Sequence, residues 1–193
     1  MSLFDKNKKP AAPSAKTPAP KSKPMAKKSI FGGITKPKAA FAKNYFTPGK
    51  YRLKVSKVLV GVSENPDHKN EDFGLAVFEV VEVDPPNKPA SDGSAPQPVG
   101  ADVSMTKYFA GPACDFALRD WRNLMCAVLG IDEGGVDWPN LTEEEVAEFE
   151  SACDHVAENP EEYVGTIIEC DCYEQYNKKR ERYFTQQMFS PVD

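Results

Sequence analysis

Apolar and polar residues alternate strictly from position 50: Tyr51, Leu53 and Val55 are separated by Lys50, Arg52 and Lys54. A period of two marks a half-buried strand. After Val55 the apolar set moves to even positions, Val58 and Val60. Such a slip predicts a bulge that bends one long strand over Lys50–Val62. Thr47-Pro48-Gly49 reads as the turn before it, and 63–72 as a polar loop after it. Phe73–Val83, rich in Val and Phe, is a second strand. A flexible connection over 84–101 leads to a third strand, Asp102–Phe109. Gly111-Pro112 breaks that strand, and Phe116, Trp121, Leu124 and Val128 recur at helical spacing, predicting a helix from Ala113 to Leu129 with Gly130 as its stop. Thr142 with Glu145 three positions on fits a capping box, opening a helix to about Cys153. Tyr163–Tyr173 and Arg180–Phe189 are the fourth and fifth strands, with a turn at 175–179.

Strand, strand, strand, helix, strand, strand is the order of the OB-fold. The expected class is therefore mainly β: a five-stranded OB-like barrel over 44–193, with a helix between strands three and four. Residues 131–162 hold twelve acids and no Lys or Arg, and form an acidic helical insertion.

Charge divides the chain. Residues 1–43 carry eleven Lys and one acid, Asp5, a net +10, while 44–193 carry the other 13 cations and 28 acids, a net −15. The first segment is rich in Pro, Ala, Lys and Ser. It lacks the apolar surface to offset its ordering entropy, and reads as a disordered basic arm. Ile30-Phe31-Gly-Gly-Ile34 is an apolar interruption that could dock on a partner surface. A basic arm beside an acidic body fits a polyanion, an acidic partner, or the body itself as ligand; a solubilising spacer is the plainer alternative.

Binding a single strand needs cations along the backbone path and aromatic faces for the bases. The hairpin between strands four and five concentrates both: Tyr173, Tyr176 and Tyr183 with Lys178, Lys179, Arg180 and Arg182. Lys50, Arg52 and Lys54 share one face of the first strand; Lys107 and Tyr108 end the third, and Phe73 opens the second. The expected interface assigns phosphate contacts to Lys50, Arg52, Lys54, Lys107, Lys178, Lys179, Arg180 and Arg182, and base stacking to Phe73, Tyr108, Tyr176 and Tyr183. For the first-strand cations the competing reading is the wet face of an amphipathic strand.

Cys153, His155, Cys170 and Cys172 are four ligand types suited to zinc. Their spacing departs from the common fingers, and Cys170 and Cys172 would face one side of a strand, so packing is the simpler role. No metal or other cofactor is expected. Five cysteines, an odd number, without a secretory signal fit a reducing, cytoplasmic setting, and no apolar run is long enough to span a membrane. Neither His68 nor His155 sits in a nucleophile or metal-hydrolase motif, and no phosphate-binding glycine loop is present, so catalysis is not expected.

The body resembles the small single-stranded-DNA-binding proteins of bacteriophages. The resemblance spans about 45–190 and rests on Phe46-Thr-Pro-Gly-Lys-Tyr-Arg-Leu, Leu75-Ala-Val-Phe-Glu-Val-Val-Glu-Val, Leu124-Met-Cys-Ala-Val-Leu-Gly and Tyr163-Val-Gly-Thr-Ile-Ile. It implies sequence-independent protection of single-stranded DNA in phage replication, recombination or repair, in the host cytoplasm, alongside replication or recombination proteins. Many such proteins end in an acidic tail with an apolar tip; this chain ends Phe189-Ser-Pro-Val-Asp193. The alternative is a non-catalytic protein-interaction or virion-associated module on the same scaffold.

Overall fold

The computed structural model describes residues 45–192. The predicted basic arm and its Ile30–Ile34 cluster lie outside them. Five strands, β1 (Gly49–Val62), β2 (Asp72–Asp84), β3 (Asp102–Tyr108), β4 (Ile167–Asn177) and β5 (Arg182–Pro191), form one antiparallel sheet in the order β3-β2-β1-β4-β5. Two helices complete the fold, α1 (Cys114–Leu129) and α2 (Glu143–Glu158). The sheet is mainly β as expected, but it does not close into a barrel: β3 and β5 remain its two edges.

The slip in the β1 pattern is a bulge. The β1–β2 register shifts between Val55 and Lys57, and again between Arg52 and Leu53. The first shift leaves Ser56 unpaired in β1 and returns the apolar residues to the core side, so Tyr51, Leu53, Val55, Val58 and Val60 all enter the core. There they meet Phe78 and Val80 of β2, Ile168, Cys170 and Cys172 of β4, and Phe189 of β5.

α1 lies at the opening between the two sheet edges. Its Trp121, Leu124, Met125 and Val128 enter the core. Trp121 lies against the β2 backbone at Gly74, where a Cβ would stand 2.6 Å from the indole. Towards β5, the buried Asn123 takes the place of a neighbouring strand: its Oδ1 accepts from the Phe189 N–H (2.7 Å) and its Nδ2 donates to the Phe189 carbonyl (2.9 Å). Gly130 ends the helix in a left-handed conformation, φ 75°, as its position predicts.

α2 opens on the expected capping box, Thr142 with Glu145. It runs on to Glu158, past the predicted end at Cys153, because its apolar stripe of Phe149, Cys153, Val156 and Ala157 keeps helical spacing against the core. Two sequence expectations are corrected. β4 begins at Ile167 rather than Tyr163, because Pro160–Tyr163 form a 3₁₀ turn and Gly165 takes φ 92°. The 84–101 connection is pinned rather than flexible: the Gln97 N–H donates to the Tyr51 hydroxyl (3.1 Å), Gln97 Nε2 donates to the Tyr45 carbonyl (3.2 Å), and the Ser91 N–H donates to Glu174 (2.6 Å). Tyr51 in turn donates to the Thr47 carbonyl (2.7 Å), which ties the start of β1 into the same knot.

Candidate nucleic-acid interface

The three β1 cations project from the face of the sheet opposite the core, as alternation requires. Antiparallel pairing also sets carboxylates beside them. Arg52 lies between Glu82 of β2 and Glu169 of β4, 3.1 Å from each. The Glu169 hydrogen bond, reinforced by the Glu82 charge, raises its pKa above the ordinary arginine value. Lys54 pairs with Glu79 at 3.0 Å, and Lys50 stands opposite Asp84 and Asp171 in the register. A phosphate arriving here meets Arg52 and Lys54 already paired with acids, and Lys50 flanked by two more.

On the same outward face, at the far end of β1, β2 and β3 bring Phe73 directly opposite Tyr108, ring centroids 6.1 Å apart. Phe73 is only 9% exposed, packed with Leu75, Val77 and Leu59. Tyr108 is more open, and His68 from the β1–β2 loop stacks on it at 3.8 Å and 13°. Glu71 holds the His68 Nδ1 at 2.7 Å. The tautomer with its hydrogen on Nδ1 donates to the Glu71 carboxylate. His68 is absent from the expected interface; its place in the loop joining strands one and two is the sequence signal that points to it.

Lys107 is not part of this platform. Neighbouring strand residues face opposite ways, so with Tyr108 outward Lys107 turns towards α1, where it pairs with Asp120 at 2.6 Å. Asp120 also receives Arg119 at 3.2 Å.

The β4–β5 hairpin gathers the remaining candidates. Tyr176 lies opposite Tyr183, centroids 5.0 Å apart, both about half exposed. Arg182 pairs in register with Asn177. Lys178, Lys179 and Arg180 occupy the turn, which the Asn177 side chain stabilises by accepting the Lys179 and Arg180 N–H groups at 3.0 Å. The two tyrosines project from the same side of β4 as Cys170 and Cys172, opposite to the side bearing Tyr108 and His68. The two aromatic groups are also far apart along the sheet. Gly49 pairs with Cys172 and Gly61 with Phe73, so about 40 Å of strand separates those pairings. Eleven of the twelve predicted residues thus fall into three separate groups, with the β1 row between the two aromatic ones, and Lys107 stands apart from all three on the α1 side.

The proposed zinc quartet is not assembled. Cys170 and Cys172 face the core from β4, whereas Cys153 and His155 belong to α2. His155 bonds Glu162 (3.1 Å) and Asn159 (3.1 Å) instead. Among the described residues no group of three or more His, Cys, Asp or Glu is placed to hold a metal ion. Burial pushes the thiols of Cys126, Cys153 and Cys172 up to about 12, and that of Cys170 well above its ordinary value.

A groove of about 730 Å³ is lined by β1, the end of β2, β4 and β5, and walled on one side by α1 and the segment after it. Arg122 spans that wall, pairing with Glu133 at 3.0 Å and lying 4.3 Å over the Trp138 ring. Trp138 is fixed from behind by Phe149 of α2, centroids 5.1 Å apart. No helix of the described residues is long and apolar enough to cross a membrane. No family model matches the chain and no curated protein is significantly similar to it.

Proposed function

We propose that this chain is a non-catalytic, sequence-independent single-stranded-DNA-binding protein acting in phage DNA replication, recombination or repair. Its sheet is an OB-type scaffold in which α1 fills the place of a β3–β5 pairing. The observation that carries the reading is the His68–Tyr108 stack on the outward side of β2 and β3. That is the surface on which such a scaffold holds oligonucleotides, flanked by the loop between its first two strands.

Magnitudes assign the division of labour. One stacked base is worth about 1–3 kcal/mol. Two rings cannot alone reach the roughly 8 kcal/mol of micromolar binding, once association costs of at least about 4 kcal/mol are met. Phosphate contacts supply the remainder. The body offers few unmatched cations near the platform, and the Lys178–Arg182 turn lies at the other end of the sheet, so the +10 arm is the main source of positive charge. Binding is then steeply salt-dependent, by about 0.7 in log–log slope for each phosphate neutralised on a single strand.

Fluorescence polarisation with labelled oligo-dT, at two salt concentrations and with and without residues 1–43, tests this. Binding that weakens with salt and loses slope with the arm is expected. Absence of binding at low salt with the arm intact overturns it. That outcome favours a protein-interaction module, for which the outward Tyr173, Phe184 and Met188 of the β4–β5 hairpin, 37%, 41% and 52% exposed, are the docking face.

A further inference from the structure

The groove over β1, β4 and β5 has an excess of acid once its ion pairs are counted. Arg52 is matched by Glu82 and Glu169, and Arg122 by Glu133. What remains on its lining is Lys50 against Asp84, Asp132 and Asp171, for which no ion pair is formed among the described residues. The lining is also partly apolar, with Trp138 and Met188 beside these carboxylates. A ligand that fits is a cationic segment with an occasional apolar side chain.

We infer that the groove seats the basic arm of the same chain, through Lys36, Lys38, Phe41 and Lys43. The geometry of the tether favours this occupant. Tyr45 is held by Gln97 and stands five residues before Lys50, which lines the groove. Lys43 precedes Tyr45 by two residues and Lys36 by nine, an extended reach of about 7 Å and about 30 Å. The sequence Lys36-Pro-Lys-Ala-Ala-Phe-Ala-Lys43 sets apolar residues between its cations. Short tethers give millimolar effective concentrations, so an intrinsic groove affinity of about 1 mM half-fills it. The acids of α2 are the competing seat. The apolar stripe of α2, Phe149, Cys153, Val156 and Ala157, is packed on the core, so it offers no contact to a ligand held by the exposed Glu143, Glu144, Glu150 and Glu158.

The inference does not depend on the nucleic-acid reading, although it gives the arm two ligands that exclude each other. A zero-length carbodiimide joins amines to carboxylates in contact and can be used on the full chain, dilute and free of DNA. Cross-links from Lys36, Lys38 or Lys43 to Asp84, Asp132 or Asp171 within one chain are expected. They should fall at least several-fold in D84N/D132N/D171N, and in the unaltered protein at about 1 M salt, where the Debye length is about 3 Å. Links that run mainly to Glu143–Glu162, form only between chains, or survive high salt unchanged overturn it. Oligo-dT added to the same reaction separates the two proposals. A fall in the groove cross-links supports both, whereas an unchanged yield upholds the groove and removes the arm from DNA binding.

Discussion

The side chain of Asn123 pairs with both backbone polar groups of Phe189, joining α1 to the edge of β5. Its Nδ2 also donates to Glu133 at 2.7 Å, so the amide is satisfied on both atoms inside the core. An Asn123→Leu substitution leaves a buried donor and a buried acceptor without partners, each worth about 1–3 kcal/mol. Loss of about 2–4 kcal/mol in urea unfolding is expected. A loss below about 0.5 kcal/mol would show that water reaches this edge.

Gly74 and Trp121 make the second close junction between helix and sheet. A methyl group at position 74 meets three indole atoms at 2.6–2.8 Å, and the ring cannot withdraw without moving α1. Gly74→Ala is expected to destabilise by about 1–3 kcal/mol, the usual range for overpacking, with a shift in tryptophan emission as Trp121 leaves its site. An unshifted melting temperature would contradict this packing.

Much of this framework was legible in the chain. The Tyr51, Leu53, Val55, Val58, Val60 pattern shows both the strand and its bulge, and Thr142 with Glu145 shows the start of α2. The misreading of β4 came from Tyr163 and Val164, residues of good strand propensity held in a turn by Pro160 and Gly165. The site was less legible, because facing and register are tertiary facts. Lys107 and Tyr108 were grouped although adjacent strand residues cannot share a face, and that error was avoidable from parity alone. That Arg52 would stand between Glu82 and Glu169 could not be read from one sequence, since it depends on the bulges in the β1–β2 ladder and on the true start of β4.

Tyr108 carries the aromatic platform. Removing its ring by Tyr108→Ala should weaken oligo-dT binding by about 1–3 kcal/mol, roughly 5- to 150-fold, while Tyr108→Phe keeps most of the affinity. His68→Ala should give a loss of similar sign without altering the salt slope, since it removes a ring and not a phosphate contact. A change in slope with unchanged low-salt affinity would contradict a stacking role. Circular dichroism on each variant distinguishes lost contact from lost fold.

The buried thiols set an alkaline limit on stability. In the unfolded chain they ionise near the ordinary value of 9.0, whereas burial holds Cys126, Cys153 and Cys172 protonated up to about 12. The native state therefore retains protons that the unfolded state releases, and stability falls as pH rises between these values. The contribution of the thiols is fully present below about pH 8. Above about pH 9 each thiol costs up to about 1.4 kcal/mol per pH unit. The urea midpoint should decline across that window, and Cys172→Ala should flatten the decline. The same burial predicts that native protein is alkylated first at Cys114, the half-exposed thiol at the start of α1.

The row Glu82–Arg52–Glu169 spans three neighbouring strands. A one-residue slip of β1 against either partner would turn Arg52 into the apolar interior and bring Leu53 out between two acids. Slippage is penalised on both flanks at once, so the row serves as an index mark for assembling the sheet. Its value lies in excluding misaligned pairings as the chain folds, more than in the strength of any one contact in the finished molecule.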